Sequence, residues 1–294
     1  MSWKINWFWG TPPATKYSEP FEDPWREMIL SDKQRQRVFK ELKEFQISTS
    51  TVRHLRILLH GPTHSGKSSF INSVNTVLQG RNTTVALANS AGGFSFTRKF
   101  QTYKLKKDRS GSFFPFVFND IMGLDENDSR GVQTDDIISV LGGHVPEGYT
   151  FNPMSALTKQ HMEYNSAPSL DDKVHCLVSV LPGDVISLMP QGILEKMKKV
   201  RQKAIDLGIP QVIIITKVDS ACKLVSKDLK MIYKSRKIKE KMQECSNLLD
   251  VPMHCIFPVK NYCEEITTNT NVDIVILTAM NNIVHFANDF VERQ

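Results

Sequence analysis

The chain has 294 residues, of which 40% are hydrophobic and 23% are charged, and its formal net charge is +6. These values exclude a disordered chain, and the length fits one large domain with additions or two small domains. The mild positive charge suits anionic partners such as nucleotides, RNA or acidic lipid without selecting one of them. The five cysteines are odd in number and form no C-x-x-C pair, which indicates free thiols in a reducing compartment.

The beginning of the chain does not have the pattern of a targeting segment. Residues 1–10 are aromatic but lack the apolar core of roughly 7–15 residues that a secretory signal needs. No apolar stretch reaches the roughly 18 residues of a membrane span, so we expect a cytoplasmic protein without a transmembrane segment. Residues 1–48 are predicted to be a Pro- and aromatic-rich segment followed by a helix over 31–45, which Ser31 can cap.

Apolar strands and amphipathic helices alternate over the rest of the chain. The predicted strands are 55–60, 100–105, 113–118, 174–181, 212–215 and 253–259. The predicted helices are 66–78, 135–141, 191–207, 224–249 and 272–291. The polar link 106–112 predicts an antiparallel hairpin at one edge of a mostly parallel, doubly wound sheet with helices on both faces. We therefore expect one α/β domain over 49–294, with an irregular insert at about 142–170.

A phosphate-binding loop follows the first predicted strand. Residues 61–69 read GPTHSGKSS and fit the pattern G-x-x-x-x-G-K-[ST]. Glycines let the backbone wrap phosphates, and the start of the next helix adds its positive dipole end. Lys67 supplies a cation for the β- and γ-phosphates, and the Ser68 hydroxyl suits Mg²⁺. The predicted phosphate-binding residues are Gly61, Pro62, Thr63, His64, Ser65, Gly66, Lys67, Ser68 and Ser69.

A second nucleotide element ends the strand 113–118. Asp120 and Gly123 fit D-x-x-G, in which Asp120 would hold Mg²⁺ through water and the Gly123 amide would sense the γ-phosphate. A threonine between the first helix and the hairpin is also expected to close on Mg²⁺. Thr97 is the preferred candidate, with Ser95 as the alternative. The predicted metal ligands are therefore Ser68, Thr97 and Asp120.

A third element ends the strand 212–215 and points to guanine. Thr216, Lys217 and Asp219 fit [NT]-K-x-D, and the Asp219 carboxylate can accept hydrogen bonds from guanine N1–H and the exocyclic amine. Adenine lacks this pair of donors. The loop after the last strand, which includes Val259 and Lys260, is expected to place a backbone N–H near the guanine oxygen.

These elements occur in the order of a P-loop G domain, each at the carboxyl end of a strand. We therefore predict Mg²⁺-dependent binding of GTP and GDP. The sequence predicts binding but does not by itself predict turnover, because Leu124 follows Gly123, where many G domains have a glutamine that orients the attacking water. His64 and Arg130 are the candidate catalytic helpers, and their alternative is a solvated side chain without a role. The protein is then either a slow or partner-stimulated GTPase or a scaffold that binds without turnover.

Several further segments resemble the interferon-induced protein 44 and 44-like family. They are PWRE from residue 24, DDIISVLGGHVPEGYTFNP at 135–153, APSLDDKVHC at 167–176 and ILTAMNNIVHFANDF at 276–290. The resemblance implies a cytoplasmic, interferon-induced protein of innate immunity with antiviral or antiproliferative effects. Longer members of the family carry an N-terminal TLDc domain, which this shorter chain is expected to lack.

Partners other than a nucleotide are less defined by the sequence. A nucleotide-dependent dimer and unknown protein partners are both compatible with a G-domain switch. Five lysines recur at three- or four-residue spacing along the predicted helix 224–249 and its approach, which would give one basic face. They are Lys227, Lys230, Lys234, Lys237 and Lys241. A solvated face is the ordinary explanation, and contact with anionic lipid or nucleic acid is the alternative.

Overall fold

The computed structural model describes residues 19–86, 98–107 and 111–294, and within them six strands form one sheet. The strands are β1 (Leu55–His60), β2 (Gln101–Lys106), β3 (Phe113–Asp120), β4 (Cys176–Pro182), β5 (Gln211–Thr216) and β6 (Ile256–Pro258). Their spatial order is β2-β3-β1-β4-β5-β6. All neighbouring pairs are parallel except β2 with β3, which is antiparallel. The predicted G-domain architecture, a mostly parallel sheet with one antiparallel edge strand, is therefore confirmed.

Helices cover both faces of this sheet. The α-helices of the described residues are α1 (Asp32–Glu44), α2 (Lys67–Gln79), α3 (Thr134–Leu141), α4 (Gln191–Asp206), α5 (Val218–Ala221), α6 (Lys223–Lys227), α7 (Arg236–Leu249) and α8 (Thr270–Glu292). Every residue of β4 is buried, and since successive side chains of a strand point to opposite faces, both faces must be covered. α1 and α2 contact α8, whereas α3 and α7 contact α4. These two groups of helices form the two outer layers.

The described part of the N-terminal segment packs onto the domain. Ser31 caps α1 by accepting a hydrogen bond from the N–H of Gln34, as predicted. Val38 and Leu42 of α1 are buried against α8. Before this helix, Trp25 makes an edge-on contact with Tyr233, with ring centroids 5.4 Å apart. The domain boundary after residue 48 remains a prediction, and residues 1–18 lie outside the described part.

The prediction of one helix over 224–249 is wrong. The segment contains α6, a 3-10 turn over Leu229–Met231 and then α7. Asp228 caps the 3-10 turn by accepting from the N–H of Lys230, and Ser235 starts α7 by accepting from the N–H of Ile238. These two capping side chains end one helix and begin another. The lysines that were expected to share one helical face therefore lie on three separate elements and a turn.

The last helix, α8, is long and apolar enough to cross a membrane by length and composition alone. In the fold it packs against β1, β4, α1 and α2, and 61% of its most apolar window is buried inside the domain. A core helix of a globular domain passes the same test, so this helix does not amount to a clear membrane span.

The predicted insert at 142–170 contains no α-helix or strand, and a 3-10 turn begins at its last residue, but it is tied to the domain at several points. Its backbone pairs with the approach to β2, where the N–H of Phe100 donates to the carbonyl of Tyr149 (2.8 Å) and that of Gly148 donates to the carbonyl of Phe100 (2.9 Å). The Glu147 carboxylate accepts from both the N–H (2.8 Å) and the hydroxyl (2.5 Å) of Thr102. The insert thus holds the chain that leads into the edge strand.

A buried carboxylate fixes the other side of the insert. Asp136 of α3 is fully buried, and its Oδ1 accepts a 2.7 Å hydrogen bond from the N–H of Leu157. Burial raises the pKa of Asp136 from its ordinary value of 3.8 to about 6. The negative charge of Asp135 also raises this pKa, whereas the hydrogen bond from Leu157 lowers it. The fold therefore contains a carboxyl group that is more basic than in the unfolded chain.

This shift predicts a pH-dependent stability. Because the folded state binds the proton more tightly, the contribution of Asp136 is fully present below about pH 4 and is lost as the pH rises to about 6. Asp136→Asn cannot ionise. We expect the free energy of unfolding of the wild type to fall by about 1–2 kcal/mol relative to that of Asp136→Asn between about pH 4 and pH 7. Urea titrations across this range measure it, with Asp289→Asn at an exposed position of α8 as the control, and parallel profiles for the wild type and Asp136→Asn would contradict it.

Candidate nucleotide site

The phosphate loop joins the end of β1 to the start of α2 by a tightly packed turn. A Cβ atom at Gly61, whose φ is +143°, would lie 2.2 Å from the carbonyl oxygen of Val180 on β4. Only glycine fits at this distance. Gly66 and His64 also have left-handed backbones, with φ of +92° and +62°. This backbone places the amides of the first turn of α2 at the loop, and no side chain caps them.

Lys67 places its ammonium group inside this loop. The side chain is buried, and Nζ donates to the carbonyls of Pro62 (2.9 Å) and Gly61 (3.2 Å). Burial lowers the pKa of Lys67 to about 8, and the negative charge of Asp120 acts in the opposite direction. Among the described residues this buried cation is bound directly only by neutral carbonyls, which makes it a suitable partner for phosphate.

Two oxygen atoms predicted as magnesium ligands lie next to each other. The Ser68 hydroxyl donates to Oδ2 of Asp120 over 2.7 Å, and Asp120 is fully buried at the end of β3. A hydroxyl and a carboxylate are hard oxygen ligands of the kind that Mg²⁺ prefers. The residues present therefore fit the predicted ion, although the described residues contain no cluster of three or more His, Cys, Asp or Glu side chains that would hold a metal by themselves.

The D-x-x-G element is packed directly on the phosphate loop. The N–H of Leu124 donates to the carbonyl of Gly61 (3.0 Å), and the N–H of Thr63 donates to the carbonyl of Leu124 (2.9 Å). A Cβ at Gly123 would lie 2.7 Å from the Cα of Thr63. The side chain of Leu124 is buried in the core. Leucine at this position therefore serves the packing of the two elements in this conformation.

Two lysines of α4 hold the segment that follows the D-x-x-G element. Lys196 lies 2.5 Å from Oδ1 of Asp128 and donates to the carbonyl of Asp125 over 2.7 Å. Lys199 lies 2.8 Å from Oδ1 of Asp135. Sequence analysis missed these contacts because it placed both lysines only on an amphipathic helix.

The [NT]-K-x-D element begins where β5 ends. Thr216 donates its hydroxyl hydrogen bond to the carbonyl of Ser65 over 2.6 Å, which joins this element directly to the phosphate loop. Lys217 has a left-handed backbone with φ of +54°. Asp219 follows in α5 and is partly exposed, and no donor among the described residues forms a hydrogen bond with its carboxylate. Thr216 therefore connects the two loops, and Asp219 is available to a ligand.

The loop after β6 lies beside the same elements. The N–H of Val259 donates to the carbonyl of Ile215 in β5 (2.7 Å). Of the two residues predicted to place a backbone N–H near the base, Lys260 is therefore the one whose N–H is left for this contact. The side chain of Lys260 lies 2.6 Å from Oε1 of Glu265, and Nδ2 of Asn261 donates to the carbonyl of Gly66 (3.2 Å). Sequence analysis did not assign a role to Asn261, whose only signal was its place in this loop.

Charge also links this loop to Asp219. Burial acts to lower the pKa of Lys260, but the hydrogen bond and charge of Glu265, together with the charge of Asp219, raise it. In Glu265, partial burial acts to raise the pKa, and hydrogen bonds from the Cys263 N–H and from Lys260 outweigh it and lower the pKa to about 2. Lys260 and Glu265 therefore form an ion pair at the rim of the site.

Three further residues that were predicted from the sequence are not shown to take part in the site. Thr97 and its alternative Ser95 lie outside the described residues. His64 is exposed, and within the described part its ring takes part in no hydrogen bond. Arg130 is also exposed, and its guanidinium forms no hydrogen bond or ion pair with any described residue. The catalytic roles of His64 and Arg130 therefore remain predictions.

Comparison with known proteins identifies relatives over most of the chain. Interferon-induced protein 44-like from Homo sapiens is 31% identical over 270 residues, which is 92% of this chain and 60% of the relative. Interferon-induced protein 44 from Homo sapiens is 33% identical over 260 residues, 88% of this chain and 58% of the relative. The chain is a homologue of these proteins. The resemblance predicted from the sequence is therefore confirmed, and the chain spans about three-fifths of the length of the curated relatives it matches. No protein-family model matches the chain.

Solved structures with a similar fold have a lower sequence identity to this interferon-induced protein 44 homologue than the relatives above. Toc33 from Arabidopsis thaliana, in complex with GDP and Mg²⁺, is 13% identical with a TM-score of 0.48, over 87% of this chain and 91% of that chain. A probable GTP-binding protein, engB, is 12% identical with a TM-score of 0.43, over 80% and 99% of the two chains. The G-domain assignment rests on the sheet order and the loop at β1 described above.

The contact between Gly123 and the phosphate loop predicts the effect of a single methyl group. In Gly123→Ala the new Cβ would meet backbone atoms of Thr63 at 2.7–2.8 Å, so the two segments would have to separate. We expect the free energy of unfolding to fall by about 1–3 kcal/mol. Gly192→Ala is the matched control, because its nearest neighbour is the Glu126 side chain at 4.0 Å and it lies in α4. Denaturant titrations that show equal stability for the two variants would contradict the packing.

Proposed function

We propose that this protein is a guanine-nucleotide-binding G-domain protein that uses Mg²⁺, and that it acts as a slow or partner-stimulated GTPase switch. One observation carries the proposal: the 2.6 Å hydrogen bond from Thr216 to the carbonyl of Ser65. It joins the loop that contains Lys67 to the element that contains Asp219. Lys67 follows β1 and Asp219 follows β5, two parallel strands on either side of β4. Both side chains therefore follow the carboxyl ends of strands, where ligands of open α/β sheets bind, and this supports a cation for phosphate and a carboxylate for guanine in one site.

The phosphates would be held by the loop and by the start of α2. Backbone amides around Gly66 and the positive end of the helix dipole favour negative charge there. Lys67 would exchange its neutral carbonyl partners for phosphate oxygens. Ser68 and Asp120 would hold Mg²⁺, which when bound neutralises phosphate charge and fixes the geometry of the phosphates.

The base would be read by the carboxylate of Asp219 and by the loop after β6. A carboxylate only accepts hydrogen bonds, so it matches the two donors on the Watson–Crick edge of guanine and rejects adenine. The N–H of Lys260, which makes no hydrogen bond within the described part of the chain, is the candidate donor to the guanine oxygen. The pairing of the Lys260 ammonium group with Glu265 connects the two ends of the segment 260–265.

A second candidate function is that of a scaffold, which binds nucleotide but does not hydrolyse it. The specific observation that favours it is Leu124, which is buried and cannot orient a water molecule by its side chain. If hydrolysis occurs, the group that positions water comes from another residue, a partner protein or a second copy of the chain. Single-turnover assays with and without candidate partners separate the two functions.

The biological setting is proposed from the homologues. Their names support induction by interferon and hence a role in innate, antiviral immunity. A cytoplasmic location fits the five free thiols, since disulfides are rare in that compartment. The basic residues of α6 and α7 are divided between several elements, which gives no continuous helical face for lipid or nucleic acid. Protein partners, including a nucleotide-dependent dimer, are therefore the favoured class.

Equilibrium binding of fluorescent GDP and GTP tests this function. We expect the wild type to bind with micromolar affinity or better. The affinity of Lys67→Ala and of Asp219→Ala should be lower by about tenfold or more. Lys198→Ala and Asp206→Ala, at exposed positions of α4, are the matched charge-removal controls and should bind like the wild type.

Asp219→Asn offers a sharper test of base recognition. The amide of the asparagine matches the carbonyl at C2 of xanthine, so this variant should prefer xanthosine diphosphate to GDP. Saturable binding that ATP competes away, or no binding up to millimolar GDP, would reject the proposal.

The pKa of Lys67 predicts how binding depends on pH. Phosphate needs the protonated ammonium group, and burial has lowered its pKa to about 8, so protonation is lost within an accessible range. We expect the affinity for GDP to fall about fivefold between about pH 7 and pH 8.8, below the pH at which guanine N1–H ionises. Lys67→Arg keeps its charge across this range, so whatever affinity it retains should be constant. An equally flat profile in the wild type would contradict the assignment of Lys67.

A further inference from the structure

A buried carboxylate connects the N-terminal helix to the loop that follows β6. Asp273, in the first turn of α8, is 1% exposed, and both of its oxygens have partners. Oδ2 lies 2.5 Å from Nε of Arg35 on α1, and Oδ1 accepts a 2.6 Å hydrogen bond from the hydroxyl of Tyr262. A buried charge is stable only when it is paired in this way. Asp273 therefore joins two segments that are far apart in sequence.

Tyr262 is fixed at both ends by this arrangement. Its hydroxyl also accepts a 2.6 Å hydrogen bond from the N–H of Asn269, the residue that caps α8. Its backbone N–H donates to the hydroxyl of Ser73 over 2.9 Å. Ser73 lies in α2, the helix that follows the phosphate loop. The tyrosine thus spans the space between α2 and α8, and it cannot shift without breaking contacts to both helices.

The residues immediately before Tyr262 are those that face the predicted base site. Val259 is bound to β5 through its N–H, and Asn261 is bound to Gly66 of the phosphate loop. Lys260 lies between them. The loop is therefore held at its start by the sheet and at its end by Tyr262, and the position of the Lys260 N–H depends on both attachments.

We infer that Arg35, Asp273 and Tyr262 are positioning residues for guanine recognition: α1, through Asp273 and Tyr262, holds the loop over 259–262 where its backbone N–H can meet the oxygen at C6 of guanine. This inference rests on the proposed function and extends it to the N-terminal helix. α1 is then a part of the nucleotide-binding unit as well as a packing element. None of the three side chains needs to touch the nucleotide.

A purely structural role for the same ion pair makes a different prediction. If Arg35 only joins α1 to α8, its loss lowers stability and weakens binding of every nucleotide to the same degree. If it positions the loop, its loss weakens chiefly the contact with the guanine oxygen. The diphosphate of 6-thioguanosine separates the two roles, because it keeps the N1–H and the amine that Asp219 would read and carries at C6 a sulfur atom, which is only a weak hydrogen-bond acceptor.

The test compares Arg35→Ala with Arg37→Ala in the full chain. Arg37 is the matched control because it lies on the same helix, is 68% exposed and, within the described part of the chain, forms an ion pair only with Glu41 on the surface. We expect Arg35→Ala to lower the affinity for GDP about tenfold and to leave the affinity for the 6-thioguanosine analogue within about twofold of the wild type. Arg37→Ala should bind both like the wild type. Calorimetry of binding and circular dichroism of the unliganded proteins give the two readouts.

A second variant keeps the test decisive if Arg35→Ala does not fold. Tyr262→Phe removes only one hydroxyl group and should show the same selective loss for GDP. Equal losses for GDP and the analogue, or no loss in a folded variant, would overturn the inference. These outcomes differ from failure of the proposed function, which would appear as a wild type that does not bind GDP at all.

Discussion

The ammonium group of Lys67 is buried, and the arrangement of the surrounding elements follows from the need to hold it. Two backbone carbonyls bind it, and Asp120 lies close enough to influence its pKa. The carbonyls are available because Gly61 lets the turn approach β4 more closely than any side chain would permit. The start of α2, the end of β3 and the centre of the sheet are therefore fixed relative to one cation.

Much of this could be predicted from the sequence because the signals are local. Five of the six strands are buried along most of their length, so their apolar runs were visible, and the phosphate loop is a contiguous pattern. The break between α6 and α7 was missed because periodic lysines suggested a continuous helix, while Asp228 and Ser235 act through short-range caps that compete with it. The contact of Arg35 with Asp273 could not be predicted, since it joins residues far apart in the chain whose proximity only the packed fold determines.

The insert and the phosphate loop both lie near the carboxyl end of β3, because the start of β2, which the insert contacts, pairs with that end. Glu147 binds Thr102, and the hydroxyl of Thr102 accepts from Asn119, the residue before Asp120. A chain of three hydrogen-bonding side chains thus runs from the insert to the end of β3. The insert also contacts α3 through Asp136, so it touches the segments on both sides of the D-x-x-G element. An irregular segment of this length is ordered here because its polar groups are satisfied by the domain.

The pairing of Leu124 with the phosphate loop has a consequence for timing. For the D-x-x-G segment to leave the loop, two backbone hydrogen bonds must break and a buried leucine must lose its packing in the same event. Because these interactions would break together, an opening of this segment would be a single cooperative event. The rate of such an opening would then depend on the combined cost of losing both hydrogen bonds and the packing of Leu124.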